Sequence, residues 1–393
     1  MTRLWDRKEP LDRLVLEYTA GEDHVLDDRL VRYDVRASAA HAAMLRAAGL
    51  LTDSDHAALQ GALRAIGEAH AQGEWQVRLE DEDCHTALEN RLVEAVGEAG
   101  QRIHLGRSRN DQVLAALRLW LKDELEALAS EAEAVAAALE GIAGRHGDLV
   151  MPGYTHMQRA MPTTLGLWAL AFASELRDDA AGLRAARRRA DLNPLGSAAG
   201  YGVPVLELDR AHTTRELGFA ATHEPVTAVQ LSRGKAEASA LFEAAMLAQD
   251  LGRLAADLCL FATSEFGFVR LPAEFTTGSS MLPQKRNPDL FELVRGRTAE
   301  AMAALLEVLA VTAKMPSGYH RDLQLTKKPL FRGLDSASAS ACLLAHALPR
   351  LEFDAERMRE AVDPSLRAAE KAYRLVQELG LPFREAFRRV REE

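Results

Sequence analysis

Apolar residues recur at helical spacing along four long stretches of this sequence. The clearest runs from residue 111 to about 145, where proline is absent, alanine, leucine and glutamate dominate, and leucines are spaced by three and four residues. That spacing predicts one long amphipathic helix. Similar patterns predict long helices over about 162–190, 232–265 and 288–314. At about 1.5 Å per residue each is roughly 40 to 50 Å long, so these helices need a bundle to cover their apolar faces.

Shorter helical patterns flank the four long ones. In the first hundred residues they are separated by glycines, and a further helix is predicted from about Asp335 to Pro349. Strand patterns are nearly absent, so the sequence predicts an all-α fold. We predict an N-terminal helical domain at 1–107, a central long-helix bundle at 108–350 and a short C-terminal helical domain at 351–393.

The amino-acid composition argues against some classes of binding partner. The 393 residues contain 48 Lys plus Arg against 58 Asp plus Glu, a formal charge of −10, which argues against a nucleic acid or an anionic membrane as the main partner. A small-molecule substrate, even an anionic one, remains compatible with this charge. No apolar run approaches the length of a membrane span. Three widely spaced cysteines, Cys84, Cys259 and Cys342, are typical of free thiols, so we expect a cytoplasmic protein.

The segment 276–289 concentrates reactive and turn-forming residues. It has the sequence TTGSSMLPQKRNPD, and a helical pattern begins near Pro288. Such a run is too polar and too broken for a helix or strand, and it predicts a loop that presents chemistry. An ordinary surface turn would explain any two of these residues but not the whole run.

Three further polar motifs precede or begin predicted helices. EDEDCHT at 80–86 places His85 after four acidic residues, which favour a protonated imidazole if they lie near it, although an acidic first helical turn is an equal alternative. GRSRNDQ at 106–112 combines two arginines with a helix N-terminus, a pattern suited to carboxylate recognition. PGYTHMQ at 152–158 holds His156, and a single histidine is more often structural than catalytic. No metal-ligand cluster or phosphate loop is apparent, so no cofactor is expected.

These motifs occur in an order that resembles the argininosuccinate lyase family of the fumarase/aspartase superfamily. The segment 276–289 is similar to the superfamily loop Gly-Ser-Ser-x-Met-Pro-x-Lys-x-Asn-Pro, with Met281 and Leu282 in swapped order. A fifth motif, YHRDLQLTK at 319–327, resembles the family's Tyr-x-x-Asp-Leu-Gln-x-x-Lys. The resemblance covers about residues 25–350. It implies a central long-helix bundle of the fumarase/aspartase type, and a homotetramer whose active sites are shared between subunits.

The resemblance also implies a β-elimination that splits argininosuccinate into arginine and fumarate. Ser279 is then the base that removes a proton beside a carboxylate, and Lys285 and Asn287 stabilise the charge that develops. His156, oriented by Glu292, supplies a proton to the departing nitrogen, although some treatments of the family exchange the roles of the serine and the histidine. The other residues that the resemblance assigns to substrate binding are His85, Ser108, Arg109, Asn110, Thr155, Tyr319, Gln324 and Lys327.

Three departures from the family pattern leave the departing amine open. Segment 4–24 lacks the family's Gly-Gly-Arg-Phe and a clear counterpart of its substrate-contacting serine. Segment 229–235 lacks the family's Asp-Ala-x-Ser-x-Arg-Asp, and the chain stops at Glu393 where relatives are expected to continue by several helices. Two alternatives therefore stay open: a lyase for another N-substituted aspartate, and a catalytically silent relative with a structural role. The presence of Ser279, Lys285, His156 and Glu292 argues against the silent relative.

Overall fold

Helices form most of the chain in this computed structural model, which describes residues 12–392. Residues 4–11 of the altered segment 4–24 lie outside the described residues. Helix starts follow local chemistry: the side chains of Asp12, Thr52 and Asp83 accept backbone N–H groups at the starts of three of the short helices. Gly97, at a φ of 57°, ends the helix that Asp83 begins. The short N-terminal helices are α1 Arg13–Ala20, α2 Asp23–Leu26, α3 Val31–Ala47, α4 Asp53–Ala71, α5 Cys84–Val96 and α6 Glu98–Arg102.

The four predicted long helices are present. The first has 38 residues and is therefore about 57 Å long. The second begins after its predicted start at Pro162, because Gln158–Thr164 forms a strand instead. In chain order this part of the protein contains α7 Arg109–His146, α8 Leu165–Ala190, α9 Arg210–Glu216, α10 Ala228–Leu231, α11 Lys235–Phe261 and α12 Asp289–Thr312.

The C-terminal part is also helical. Its first helix begins well before the predicted position of Asp335, since Pro329 falls in the first turn, where proline is tolerated. Gly380, at a φ of 64°, ends the helix before the last one. The helices here are α13 Lys327–Ala347, α14 Ala355–Glu360, α15 Ala368–Leu379 and α16 Phe383–Glu392.

Four two-stranded sheets in the described chain were not predicted. The longest is an antiparallel hairpin, β1 Val150–Thr155 with β2 Gln158–Thr164, and Thr155 pairs with Gln158 across its turn. The other strands have two residues each, too few to show an alternating pattern in the sequence. They are β3 Leu192–Asn193, β4 Ala221–Thr222, β5 Val269–Arg270, β6 Thr277–Gly278, β7 Arg286–Asn287 and β8 Glu352–Phe353, and they pair as β3 with β4, β5 with β8 and β6 with β7.

The described residues group into two compact units. Unit 1 consists of residues 12–127, 183–242 and 302–334, and unit 2 consists of residues 128–182, 243–301 and 335–392. Neither unit is one contiguous segment, because the five longest helices each contribute residues to both. The domain boundaries at residues 107 and 350 stay a prediction.

Each unit has its own apolar core. In unit 1, α3, α4 and α5 bury Leu45, Leu59 and Leu88 against one another; truncating a fully buried leucine such as Leu59 to alanine costs about 2 to 5 kcal/mol. In unit 2, Phe266 packs against Tyr154 of β1, with 5.5 Å between ring centroids, which anchors the hairpin. Among the helices described between residues 12 and 392, none combines the length and apolar character that crossing a bilayer requires.

Candidate functional site

The predicted loop at 276–289 is a hairpin loop in unit 2. The pairing of β6 with β7 places Thr277 opposite Asn287 and closes the loop at its base. Ser279 Oγ accepts the backbone N–H groups of Met281 at 3.3 Å and of Leu282 at 3.1 Å. Two N–H donors stabilise negative charge on this oxygen, as the predicted role of a base requires. Lys285 is exposed at the end of the same loop.

His156 occupies a strained turn. It was predicted to lie just before a long helix, but it lies in the two-residue turn between β1 and β2, and β2 separates it from α8. His156 has a φ of 53° and Met157 a φ of 59°, both in the left-handed region that favours glycine. Both side chains are exposed. The turn therefore presents the imidazole to solvent, at the end of a hairpin whose Met151 and Pro152 are buried.

A cavity of about 1060 Å³ opens in unit 2 beside the loop. Lys285, Asn287 and Glu292 line it, together with Met157 from the hairpin turn and Arg295 one turn further along α12. Thr155, His156 and Ser279 lie outside this lining. The structure thus brings three of the six predicted unit 2 residues to one cavity, and the orientation of His156 by Glu292 stays a prediction.

A second, smaller cavity in unit 1 collects most of the predicted substrate-binding residues. Its volume is about 50 Å³. Ser108 and Asn110 lie nearby but outside its lining, at the start of α7. The residues that converge on it come from three of the sequence motifs, and they are His85, Arg109, Tyr319, Gln324 and Lys327.

His85 forms a buried ion pair that the sequence did not predict. Its Nδ1 lies 3.0 Å from Oδ2 of Asp34, a residue of α3. Burial alone lowers the pKa of His85, but the charge of Asp34, with those of Asp83 and Asp27, outweighs it and raises this pKa above its ordinary value. The expected protonated imidazole is therefore supported, with the distant Asp34 as its main partner and Asp83 of the adjacent acidic block as a smaller contributor.

Lys327 is held between two carboxylates. Its Nζ lies 2.7 Å from Oδ2 of Asp23 and 2.7 Å from Oδ1 of Asp27, and the lysine is buried. Burial lowers the pKa of the ammonium, but Asp27 and Asp23 outweigh it and raise this pKa. The second oxygen of Asp27, Oδ2, is buried without a hydrogen-bond partner among the described residues. Asp27 thus keeps one buried oxygen beside the cavity that no described residue satisfies.

Arg109 is engaged by the protein's own groups. Its Nη2 donates to Oγ1 of Thr86 at 2.7 Å, and its Nη1 lies 3.4 Å from Glu82 and 3.3 Å from Asp83. The GRSRNDQ motif predicts a donor for a substrate carboxylate at this position, and that role stays a prediction. The guanidinium instead pairs with two acids of the 80–86 motif, because the fold places the start of α5 next to the start of α7.

Gln324 connects the cavity to the end of α1, a part of the altered segment 4–24 in which no residue was assigned a role. Its Nε2 donates to the backbone oxygens of Thr19 at 2.9 Å and Ala20 at 3.2 Å, and Arg321 also donates to Thr19 at 2.9 Å. The end of α1 therefore forms part of the cavity wall through its carbonyl groups. A contact made by backbone atoms leaves no residue pattern in a sequence, which is why it was missed.

One group of possible metal ligands lies beside the same cavity. Asp27, Cys84 and His85 each bring one ligand atom within 4.8 Å of the others. Protonation of His85 removes its ring nitrogens as ligands, and the Lys327 ammonium already neutralises Asp27. We therefore assign no metal to this group.

Similarity to known proteins decides the family. Residues 7–303 match the family model described as "Lyase". An argininosuccinate lyase of Sorangium cellulosum is 48% identical over 391 residues, covering 100% of this chain and 90% of the relative. The chain belongs to the argininosuccinate lyase family. This confirms the resemblance drawn from the five motifs, and the family's shared chemistry makes the chain a carbon–nitrogen lyase.

Other family members and solved structures extend the match. An argininosuccinate lyase of Thermotoga neapolitana is 39% identical and is matched over 98% of its length, so it does not continue by several further helices beyond the match. The structure of an EDDS lyase variant with bound fumarate is 27% identical, with a TM-score of 0.81 over 95% of this chain and 74% of that chain. A class II fumarase of Schistosoma mansoni, 18% identical, shares the fold with a TM-score of 0.81 over 98% of this chain and 89% of its own. The predicted all-α fold of this type is confirmed.

The altered segment 229–235 contributes to the unit 1 cavity after all. Arg233 lines the cavity, is 6% exposed, and has its Nε 3.5 Å from Oε1 of Glu237. Together with Asp23 and Asp27 it is a cavity residue that sequence reasoning did not assign. A charged residue close to a helix start was the available signal, and it is weak because such residues are common on solvated surfaces.

Proposed function

We propose that this lyase cleaves argininosuccinate into arginine and fumarate. The observation that carries the proposal is the unit 1 cavity, where His85, Tyr319, Gln324 and Lys327 converge in a chain of the argininosuccinate lyase family. The EDDS lyase variant that shares the fold at 27% identity was solved with fumarate bound, which supports fumarate as the product. The reaction needs no cofactor in this proposal.

The charges of the unit 1 cavity suit the arginine portion of the substrate. That portion carries an ammonium and a carboxylate on one carbon. Asp23 and Asp27 supply negative charge for the ammonium, and the neighbouring Lys327 supplies positive charge for the carboxylate. A buried pair of opposite charges is complementary to such a zwitterion, and it rejects analogues that lack either charge.

The unit 2 residues then carry the elimination. Ser279, as an alkoxide stabilised by the two N–H groups it accepts, takes a proton from the carbon beside a substrate carboxylate. The electron pair of the broken C–H bond moves into that carboxylate, where Lys285 and Asn287 stabilise the added charge. The pair then forms the C=C bond of fumarate as the C–N bond breaks, and the nitrogen takes a proton from His156. In the exchanged version, His156 is the base and Ser279 the donor.

We also propose a homotetramer in which subunits share active sites, with Thr155, His156 and Glu292 of one subunit serving the substrate held by Asn110 and the unit 1 cavity of another. Met302, Leu306 and Leu309 of α12 support the assembly: they repeat at helical spacing and are 42%, 66% and 48% exposed. A stripe of large apolar side chains on one helix face favours burial against another chain.

The three cysteines are unpaired, which supports the reducing cytoplasm as the location.

The decisive experiment supplies candidate substrates to the purified protein. Fumarate formation is followed by absorbance with argininosuccinate, adenylosuccinate, aspartate and malate in separate reactions. Turnover of argininosuccinate alone supports the proposal. Turnover only of another N-substituted aspartate establishes the alternative lyase, and no turnover of any substrate by a folded tetramer establishes the silent relative.

A further inference from the structure

Asp111 is a fully buried carboxylate at the start of α7, in unit 1. In sequence it resembles a solvated helix cap next to Asn110. Its Oδ1 accepts the backbone N–H of Ser108 at 3.0 Å, and its Oδ2 accepts those of Gly196 at 3.0 Å and Ala198 at 2.8 Å. One side chain therefore joins the 108–110 turn to a loop more than eighty positions away along the chain.

That loop, residues 196–202, contains four residues with positive φ, one of which is strained. Gly196, Ala198, Gly200 and Gly202 have φ values of 80°, 50°, 116° and 82°, and for alanine such a φ is costly. Ser197 between the two donors is 0% exposed, and its carbonyl accepts the N–H groups of Gly200 and Gly202. A strained residue such as Ala198 persists only where the surrounding structure fixes it, and the Asp111 carboxylate accepts hydrogen bonds from Ala198 and from Gly196.

The same loop reaches the groups that are proposed to bind substrate. Gln230 packs against Gly200, where an added Cβ would lie 3.1 Å from its Cγ, and its Nε2 donates to the carbonyl of Asn110 at 3.2 Å. The hydroxyl of Tyr201 approaches Gly318, where an added Cβ would lie 3.2 Å from it. Gly318 precedes Tyr319 of the unit 1 cavity. The loop thus contacts both Asn110, through Gln230, and the segment of Tyr319.

We propose that Asp111 is a positioning residue that fixes the 108–110 turn and the 196–202 loop to each other and so sets substrate affinity at the unit 1 cavity. It does not touch the substrate in this proposal. Its carboxylate is required because it accepts three N–H groups. An asparagine in its place has one acceptor oxygen and an NH₂ group that faces N–H donors, so at least one buried N–H loses its acceptor.

The proposal carries a pH dependence. Burial raises the pKa of Asp111 to about 6, against the opposing effects of the three N–H groups and Arg107. Arg107 of the preceding turn and Arg210 of α9 are the charged groups that face it, and both favour the ionised form. Protonation below this pKa turns one acceptor oxygen into a donor, so the loop should loosen and affinity should fall as the pH decreases through about 6.

The test compares Asp111→Asn with Asp123→Asn, an aspartate on the same helix whose side chain is 52% exposed. The inference rests on the proposed argininosuccinate lyase activity. For Asp111→Asn we expect KM to rise about 10- to 100-fold, the equivalent of one charge-assisted hydrogen bond, with kcat changed less than about threefold. Asp123→Asn should match the wild type. The wild-type KM should rise between about pH 7.5 and pH 5.5, while that of Asp111→Asn stays flat.

A separate measurement distinguishes failure of this inference from failure of the proposed function. Hydrogen–deuterium exchange should be faster in Asp111→Asn than in Asp123→Asn for peptides that cover 108–112 and 196–202, whatever reaction the protein catalyses. Unchanged exchange in both segments overturns the coupling, and so does an unchanged KM in an active, folded variant. If Asp111→Asn does not fold, a wild-type KM that is constant over the same pH range overturns it.

Discussion

The imidazole of His85 and the carboxylate of Asp34 form a buried ion pair, with 3.0 Å between Nδ1 and Oδ2 and side chains only 2% and 0% exposed. Asp34 also accepts the Nε2 group of Gln112 at 3.0 Å, so the pair ties α3 to α5 and to the start of α7. Opposite charges so close and so poorly solvated depend strongly on the protonation of each member.

This pair should make stability depend on pH in both directions. The pKa of His85 is raised in the folded protein. The stability that His85 contributes is therefore complete below about pH 6.5, its ordinary pKa, and is lost as the pH rises through its folded-state pKa. Burial raises the pKa of Asp34, but the charge of His85 outweighs burial and lowers this pKa. The stability that Asp34 contributes is therefore present above about pH 3.9, its ordinary pKa, and is lost as the pH falls through its folded-state pKa.

Urea unfolding across pH measures this effect. We expect the free energy of unfolding to decline above about pH 6.5 in the wild type and to lose that dependence in His85→Gln. His104→Gln is the control, because its partner Glu89 lies at 3.2 Å but the His104 side chain is 34% exposed. Equal pH dependence in wild type and His85→Gln would contradict the role of the buried pair.

Lys327 and the adjacent Lys328 offer a matched pair of substitutions. Lys327→Met removes the ammonium from between Asp23 and Asp27 and leaves two buried carboxylates together, so unfolding should become easier by about 3 to 5 kcal/mol. Lys328→Met breaks only a contact with Glu22 on the surface, where the lysine side chain is 52% exposed, and should change stability by less than about 1 kcal/mol. Denaturant unfolding at neutral pH gives both values, and similar losses for the two variants would refute the distinction.

Ser279→Ala should remove activity without harming the fold. The serine lies in a hairpin loop and contributes little to a core, so stability should change by less than about 0.5 kcal/mol, while kcat should fall by at least about 100-fold if the hydroxyl is the base. Ser280→Ala, at the exposed neighbouring position, is the control. A loss of kcat below about tenfold, or about 1.4 kcal/mol of barrier, would remove Ser279 from this role.

Shared active sites predict complementation between inactive subunits. His156→Asn and Asn110→Ala proteins should each be inactive, whereas unfolding and reassembling them together should restore on the order of a quarter of the wild-type activity, because random mixing creates some sites with both residues intact. Native mass measurements identify the hybrids. Mixed tetramers that remain inactive would show that each subunit carries a complete site.

The long helices were predictable because their chemistry is local. Along α7 the leucine spacing specifies an amphipathic helix whatever the rest of the protein does. The hairpin of β1 and β2 was not predictable in this way, since MPGYT and QRAMPTT contain prolines and no clean alternation of apolar residues. It is specified by packing such as that of Tyr154 on Phe266.

In the candidate site, too, local sequence identified some features and contacts between distant residues determined the others. The motifs identified the residues that meet at the unit 1 cavity but not the groups that these residues contact. Those partners are Asp34 for His85, Asp23 and Asp27 for Lys327, and the carbonyl groups of α1 for Gln324. Each of these partners is distant in sequence, and a single sequence contains no signal for pairing across such distances. Asp111 could not be singled out for the same reason, because a solvated helix cap and a buried carboxylate have the same local sequence.

The turn that holds His156 has a consequence for any attempt to make this protein more robust. Two-residue hairpin turns with positive φ at both positions are most stable with Asn-Gly, whereas His156 and Met157 each incur a strain of about 1 to 3 kcal/mol there. Thermostabilisation guided by turn preference would replace this pair first. Such a variant would tolerate higher temperature and lose the proposed proton donor, so at this turn selection for folding and selection for catalysis act in opposite directions.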